Sequence, residues 1–318
     1  MIGIGFIGSG GVAERHALAL QELRGAELRA VWSRTPASTA DFARRHSARA
    51  DDSLAALLAD PGIDAVFVLT PAENHFDHAS RALQAGKHVL LEKPVSRSVA
   101  EIRALSAIAE ATGKICMPSH NYIYAPEVQR LRHHLHQGRL GRLQSFWMLC
   151  NQRQTQAMGQ PGMVLNDMMI HLAYSSLFFC GKPTRLCAFG SNVFFESGAD
   201  DQIGITLGYG DGTIGHLWAS WATEDLSRDP WSTTIKVFGA AGTGVASWDS
   251  VKNADQPQPG WDDGAYWDSF LNVQRHFVEN CLGQGEPPLS DLNDAASAAT
   301  IIEAATLSLA EQRWVTLS

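Results

Sequence analysis

The sequence predicts an α/β protein in two parts: an N-terminal doubly wound parallel sheet, then a second α/β domain built on a mainly antiparallel sheet. Three observations predict it. Over residues 1–120, short apolar segments alternate with segments of helical periodicity, the pattern of successive β-α-β units and therefore of parallel strands. The first strand-to-helix turn is rich in glycine. Later in the chain, strand-like segments follow one another, separated by Gly and Asp turns, as in antiparallel sheets. At 318 residues the chain exceeds what one core usually organises. The division expected is residues 1–120 and residues 121–318.

Ile2 to Ile7 is an apolar, β-branched run that leads into Gly8-Ser9-Gly10-Gly11-Val12-Ala13, a G-x-G-x-x-A pattern, and Val12 to Leu23 then carries apolar residues at helical spacing. Gly8 permits the tight turn, Gly10 lets the main chain approach a pyrophosphate, and Ala13 allows close helix–strand packing. A helix start offers free N–H groups and a positive dipole end to phosphates. A bare motif of this kind can be a glycine-rich turn without a ligand. Its place between a strand and a helix makes it a Rossmann dinucleotide-binding element, with Gly8, Ser9, Gly10, Gly11 and Val12 as candidate cofactor contacts.

Leu28 to Trp32 reads as the second strand, ending at Ser33-Arg34-Thr35-Pro36. An NAD site usually places an acid here to hold the ribose 2′-hydroxyl; this chain has none. Ser33 and Thr35 can donate to a 2′-phosphate, and Arg34 can pair with it and stack on adenine. NADP(H) is therefore the expected cofactor, with NAD(H) possible. Ser38 to His46 and Ser53 to Leu58 read as helices, and Ile63 to Leu69 as the third long strand. That strand ends at Thr70-Pro71-Ala72-Glu73-Asn74-His75, where Asn74 can cap a helix running to Gln84 that Gly86 closes. His88 to Leu91 is the next strand, followed by a helix over Ser98 to Thr112 and a strand over Lys114 to Met117. His88 to Leu91 runs directly into Glu92-Lys93-Pro94. Pro94 ends the run and biases Lys93 toward an extended conformation. That fixes an ammonium group at the carboxyl edge of a parallel sheet, where ligands bind in open α/β folds. In isolation the same tripeptide would read as a surface lysine.

Gly8-Ser9-Gly10-Gly11, Thr70-Pro71 with His75, Ala85-Gly86-Lys87-His88-Val89 and Glu92-Lys93-Pro94 together resemble the Gfo/Idh/MocA oxidoreductases. The resemblance covers nearly the whole first domain in order and spacing. It implies a cofactor domain followed by an α/β domain with a large open sheet. It further implies that Thr70, Pro71, Asn74, His75, Glu92, Lys93 and Asn121 line the cofactor, and that Lys93 sits beside nicotinamide and substrate, with Asn121 and Tyr122 on the substrate side. Members of this family often carry arginine two residues after the asparagine; here that position is Ile123.

In the second domain, Glu127 to Gln137 reads as a helix. Its His133, His134 and His136 diverge around the helix, and no Cys or carboxylate completes a tetrahedral set, so no metal site is expected. Leu143 to Leu149 reads as a strand. Pro161-Gly162-Met163-Val164-Leu165-Asn166-Asp167-Met168-Met169-Ile170-His171 resembles the family's glycine-rich turn, aspartate and histidine at a helix start, with only Gly162 kept of the usual glycines. Asp167 and His171 are four apart and share a helical face. Separately they read as a helix N-terminal aspartate and a core histidine; with Lys93 they form the expected catalytic set, its convergence depending on an interdomain cleft. Arg185 to Phe195, Ile203 to Tyr209, Thr213 to Trp221 and Thr234 to Phe238 read as strands, with Asp211-Gly212 as a hairpin signal. Trp218, Trp221, Trp261, Tyr266 and Trp267 can form a sugar-stacking wall, a subunit face or plain sheet packing. Asn253 to Gly264 reads as a loop over the site. Trp267 to Cys281 and Asp291 to Gln312 read as helices, the last capped by Ser290.

The net charge of −8 argues against nucleic-acid and anionic-membrane partners. No apolar run is long enough to span a bilayer, and five scattered cysteines with no C-x-x-C fit free thiols in a reducing compartment. With no secretory signal at the start, a cytoplasmic location is expected. The expected activity is hydride transfer between nicotinamide and a sugar, cyclitol or related polyhydroxylated compound, the substrate class resting on the resemblance. His171 is the expected proton carrier, Lys93 the group that holds the reacting oxygen, and Asp167 the group that orients the imidazole or a substrate hydroxyl. Reduction of a C=N or tetrapyrrole substrate, or cofactor sensing without turnover, are the alternatives. An open sheet face suggests a homodimer or homotetramer.

Overall fold

The computed structural model describes residues 1–223, 232–247 and 264–317. The chain forms two compact units, Met1–Tyr124 with Trp267–Ala296, and Ala125–Tyr266 with Ser297–Ser318. The first unit is thus not one contiguous stretch: residues 267–296, read from the sequence with the second domain, return to it.

In the first unit the chain runs β1 (Ile2–Ile7), α1 (Gly11–Gln21), β2 (Ala26–Trp32), α2 (Pro36–Arg45), β3 (Arg49–Ala50), α3 (Leu54–Ala59), β4 (Ala65–Val68), α4 (His75–Gln84), β5 (His88–Leu91), α5 (Val99–Thr112) and β6 (Cys116–Pro118). The six strands pair in the order β3-β2-β1-β4-β5-β6, every pair parallel. A sheet covered on both faces needs strands apolar on both sides; Ile4, Phe6, Ile7, Val66, Phe67, Val68, Leu90 and Leu91 are all fully buried. The strand order reverses direction between β1 and β4, which opens the crevice at their carboxyl ends.

Local chemistry moved several boundaries. α2 starts at Pro36 rather than Ser38, with Thr35 at the N-cap position, because proline is preorganised for the first helical turn. Ser53 lies outside α3 as its cap, its Oγ accepting from the Ala56 N–H. Asn74 does not cap α4 with its side chain: it ends a 3₁₀ turn, Ala72–Asn74, that enters the helix directly. Gly86 closes α4 as expected, at φ 77°.

The second unit begins with α6 (Pro126–His136), then β7 (Leu143–Asn151), a π-helical turn at Val164–Met169, α7 (Ile170–Cys180), β8 (Arg185–Ser191), β9 (Gln202–Gly208), β10 (Ile214–Ser220), β11 (Ser232–Gly239) and β12 (Gly242–Ser247). The chain then enters α8 (Gly264–Arg275), whose π-helical continuation is His276–Leu282, followed by α9 (Leu292–Glu311) and β13 (Val315–Thr316). The seven strands pair as β12-β11-β7-β10-β9-β8-β13, antiparallel except for β7 with β10. Phe146, Met148, Leu217, Ile205, Ile235 and Val237 bury one face, and α7, apolar almost all round, packs against β7 and β10. The other face carries the cross-strand row Val245, Lys236, Trp147, His216 and Thr206, in which Trp147 is 50% exposed.

β8 stops at Ser191 rather than Phe195 because Asp201 claims the next residues. Its Oδ2 accepts from the N–H groups of Val193, Phe194 and Phe195 at 2.6–3.0 Å, which turns the chain out of the ladder. Asp211-Gly212 forms the β9–β10 turn, Gly212 at φ 89°. Ser290 does not cap α9: Asp291 does, its Oδ1 accepting from the N–H groups of Asn293 and Asp294. Among the described residues, no helix is long and apolar enough to cross a membrane. The five cysteines are free, and burial pushes the thiols of Cys116 and Cys180 up to about 12. The segment Asn253 to Gly264, read as a loop over the site, and Trp261 within it lie outside the described residues but for Gly264.

Candidate active site

The glycine turn shows two distinct demands. Gly8 has φ 118°, and a Cβ there would lie 2.7 Å from the Leu69 carbonyl oxygen; the turn itself requires glycine. Gly10 and Gly11 are different: a Cβ on either would meet nothing within 4 Å. Gly10 is the N-cap of α1 and supplies no side-chain cap, so the first-turn N–H groups face the space that the missing side chains leave. An open cradle at a helix N-terminus fits a pyrophosphate, so the residues present suit a dinucleotide. Ser9 and Val12 flank it, both half-buried.

At the end of β2, the Ser9 hydroxyl lies 2.9 Å from those of Ser33 and Ser38, and Ser33 Oγ lies 2.6 Å from Thr39 Oγ1. Exposed Arg34 stands beside this hydroxyl cluster. Ser38 was not singled out in the sequence, where it looked like a helix start.

Along the same sheet edge, Thr70 and Pro71 follow β4 and Glu92 and Lys93 follow β5. His75 is buried; its Nε2 lies 2.6 Å from the Thr70 carbonyl oxygen and its Nδ1 2.8 Å from that of Pro94. It therefore joins two neighbouring strand-end loops. Asn74 is half-buried. The Lys93–Pro94 peptide is cis. The Glu92 carboxylate turns inward: Oε1 accepts from His16 Nε2 at 2.9 Å and Oε2 from the Lys93 main-chain N–H at 3.0 Å. Burial works against the charge on Glu92, yet the hydrogen bond from His16 and the nearby Lys93 ammonium outweigh it and hold the carboxyl below its usual range. Beyond β6, His120 is buried with Nδ1 2.7 Å from Ser290 Oγ; burial pushes it down to about 3, so it is a neutral ring. Asn121 donates through Nδ2 to Ser269 Oγ at 2.7 Å, and Tyr122 is 1% exposed. Both have a place in the packing of the first unit.

Asp167 and His171 belong to the second unit. Asp167 lies on the π-helical turn and His171 in the first turn of α7. The α-helical spacing used to align them therefore does not apply as it stands, because a π turn winds wider. π turns of this kind are frequent at functional sites. Asp167 is half-buried and His171 is 6% exposed. His171 Nδ1 shares a 2.6 Å hydrogen bond with the hydroxyl of buried Tyr174. Tyr174 stands one helical turn on, a signal that was present in the sequence and not used. Among the described residues, no group of three or more His, Cys, Asp or Glu could hold a metal ion.

Residues 2–120 match the family model of the Gfo/Idh/MocA oxidoreductase family with its NAD-binding Rossmann fold, and residues 128–245 match that family's C-terminal domain. The chain is 28% identical to a D-apiose dehydrogenase of Paraburkholderia graminis over 98% of its own length and 88% of that protein. It is 26% identical to an NADP(+)-linked scyllo-inositol 2-dehydrogenase of Bacillus subtilis, covering 66% of this chain and 67% of that one. Its fold superposes with a TM-score of 0.87 on the crystal structure of a putative myo-inositol dehydrogenase from Sinorhizobium meliloti, at 21% identity over the full length of both chains.

Proposed function

The chain belongs to the Gfo/Idh/MocA family of NAD-binding oxidoreductases, and from that premise we propose that it moves a hydride between NADP(H) and a carbinol carbon of a sugar or cyclitol. The observation that carries this reading is the open glycine cradle at the end of β1, with Lys93 just beyond β5 on the same sheet edge. The dehydrogenases of D-apiose and scyllo-inositol among its relatives support the substrate class.

Gly10, Gly11 and the α1 N-terminus hold the pyrophosphate. When bound, the nicotinamide supplies the carbon that accepts or gives the hydride. Lys93 Nζ holds the reacting oxygen and stabilises charge on it. His171 takes the proton at Nε2 in the tautomer whose Nδ1–H donates to the Tyr174 hydroxyl, and returns it from the same atom. Asp167 orients a substrate hydroxyl or the imidazole. The test is oxidation of D-apiose, scyllo-inositol and myo-inositol with NADP+ and NAD+, followed by the absorbance of reduced nicotinamide. Turnover of imines alone, or tight cofactor binding with no hydride transfer to any polyol, imine or tetrapyrrole, would remove this reading.

The preference for NADP(H) rests on Arg34 and the Ser9, Ser33 and Ser38 hydroxyls, with no acid at the end of β2. Arg34→Ala weakens NADPH binding by about 1–3 kcal/mol, the scale of one charge-assisted contact, and leaves NADH binding nearly unchanged. Calorimetric titration of both cofactors checks this; equal affinity of the parent protein for the two would sink the preference.

The chain is further proposed to act as a homodimer or homotetramer through the exposed sheet face around Trp147, where Phe238 and His216 pack on the indole at 5.5 Å. An apolar patch of this kind favours association. Trp147→Asp should shift the protein to monomer in light scattering after gel filtration, with an unchanged circular dichroism spectrum. An unaltered mass would place the interface elsewhere.

A further inference from the structure

The structure assigns to buried His16 and Glu92 the positioning of Lys93 by its main chain. The inference rests on the reading of Lys93 as a catalytic group and concerns what holds it.

His16 lies on α1, one turn beyond the glycine cradle, and is fully buried. Its ring contacts two partners of opposite kind. Gln274 on α8 donates through Nε2 to His16 Nδ1 at 3.0 Å and to the His16 carbonyl oxygen at 3.2 Å. An amide nitrogen only donates, so Nδ1 is the acceptor and the ring proton sits on Nε2. That proton points at Glu92 Oε1, 2.9 Å away. Edge contacts with Phe67 and Phe270, at ring-centroid distances of 5.7 and 5.1 Å, fix the plane of the ring. Glu92 is thereby left with Oε2 to receive the N–H of Lys93. On the far side of the Lys93–Pro94 peptide, the Pro94 carbonyl oxygen packs against His75, 2.8 Å from its Nδ1.

The consequence is a two-sided grip on a residue whose side chain is long and flexible. Four rotatable bonds separate Nζ from the main chain, so the reach of the ammonium is decided by where the Cα is held. A displacement of the order of 1 Å at a reacting group can cost about 10²-fold in rate. Neither His16 nor Glu92 needs to touch substrate to matter; both act through Lys93. The same pair links the helix that begins at the glycine cradle to the residue that handles the substrate oxygen.

The test uses the full-length protein and four variants, Glu92→Ala, Glu92→Gln, His16→Leu and Lys93→Met, each checked by thermal melting. Two readings are taken: single-residue hydrogen exchange at the Lys93 amide, and kcat, KM and the NADP+ dissociation constant with whichever of D-apiose, scyllo-inositol or myo-inositol the parent oxidises. Glu92→Ala should speed Lys93 exchange at least about tenfold, since it removes the acceptor. It should lower kcat by about 10–100-fold and change KM much less. Glu92→Gln keeps one acceptor oxygen, which can serve the Lys93 amide or His16 Nε2–H but not both, and should give exchange and kcat between those of the parent and of Glu92→Ala, a partial rescue that a general loss of stability would not give. His16→Leu should fall between the two, and it supplies both readings should Glu92→Ala fail to fold. Unchanged Lys93 exchange in Glu92→Ala and His16→Leu overturns the inference. So does unchanged kcat in those variants when Lys93→Met is inactive. An active Lys93→Met overturns instead the catalytic reading of Lys93, and the positioning role falls with it.

Discussion

Lys93→Ala and His171→Ala each lower kcat by about 10²–10⁴-fold, the range for a lost acid–base or oxygen-holding group. The NADP+ affinity of His171→Ala stays near that of the parent, because the histidine is proposed to handle the substrate proton and not to hold the pyrophosphate. The double variant loses less than the product of the single losses, because groups that act in one step are not additive. Asp167→Asn has a smaller effect, since an amide still donates and accepts where a carboxylate oriented a partner. Tyr174→Phe gives the sharper check on His171. It removes the hydroxyl from Nδ1 and should alter the pH dependence of kcat more than KM, because it changes the hydrogen bonding that fixes the tautomer. Steady-state kinetics over a pH series measures all of these. Near-normal turnover by His171→Ala would make Lys93 the sole proton-handling group.

Gly10→Val abolishes dinucleotide binding and leaves the fold standing. The position is conformationally ordinary, at φ −84° and ψ −171°, and a Cβ meets nothing within 4 Å. The cost to the protein is that of a poor N-cap residue, about 1 kcal/mol. The cost to binding is larger: the isopropyl group occupies the approach of the pyrophosphate to the α1 N-terminus, and affinity should fall by about 100-fold or more, roughly 3 kcal/mol. Gly8→Ala should behave in the opposite sense. Its left-handed φ and the 2.7 Å approach of the Leu69 carbonyl oxygen place the penalty on folding, about 1–3 kcal/mol from the backbone alone. Melting curves and cofactor titrations on the two variants separate a glycine kept for the turn from a glycine kept for the ligand. A Gly10→Val protein that binds either cofactor normally would show that the loop does not receive the phosphates.

What the sequence made legible were features whose cause is local. The β1–turn–α1 unit, the alternation that dictates parallel pairing, and the close of α4 at Gly86 each depend on a few neighbouring residues. The antiparallel character of the second sheet followed from its Asp and Gly turns in the same way. Errors arose where two local solutions were equally good. Ser290 and Asp291 are both competent caps, and only the long-range bond from Ser290 to His120 leaves the task to Asp291. At Asn74 a 3₁₀ turn reached the helix without a cap. Contacts between distant parts of the sequence left no trace in it. His16 meets Glu92 and Gln274 across 76 and 258 positions, so neither periodicity nor motif could mark it. The π turn under Asp167 was hidden because its composition is that of any buried helix.

The return of residues 267–296 to the first unit also bears on how the protein is made. On the ribosome, residues 1–124 emerge first, yet Phe67 and His16 find Phe277, Phe270 and Gln274 only after residues 125–266 of the second unit have been synthesised. At about 5–20 residues per second, the nascent first unit waits on the order of ten seconds or more with that apolar patch exposed. Its biogenesis therefore passes through an unfinished intermediate that a chaperone can bind, and a version shortened before residue 267 would remain in that state.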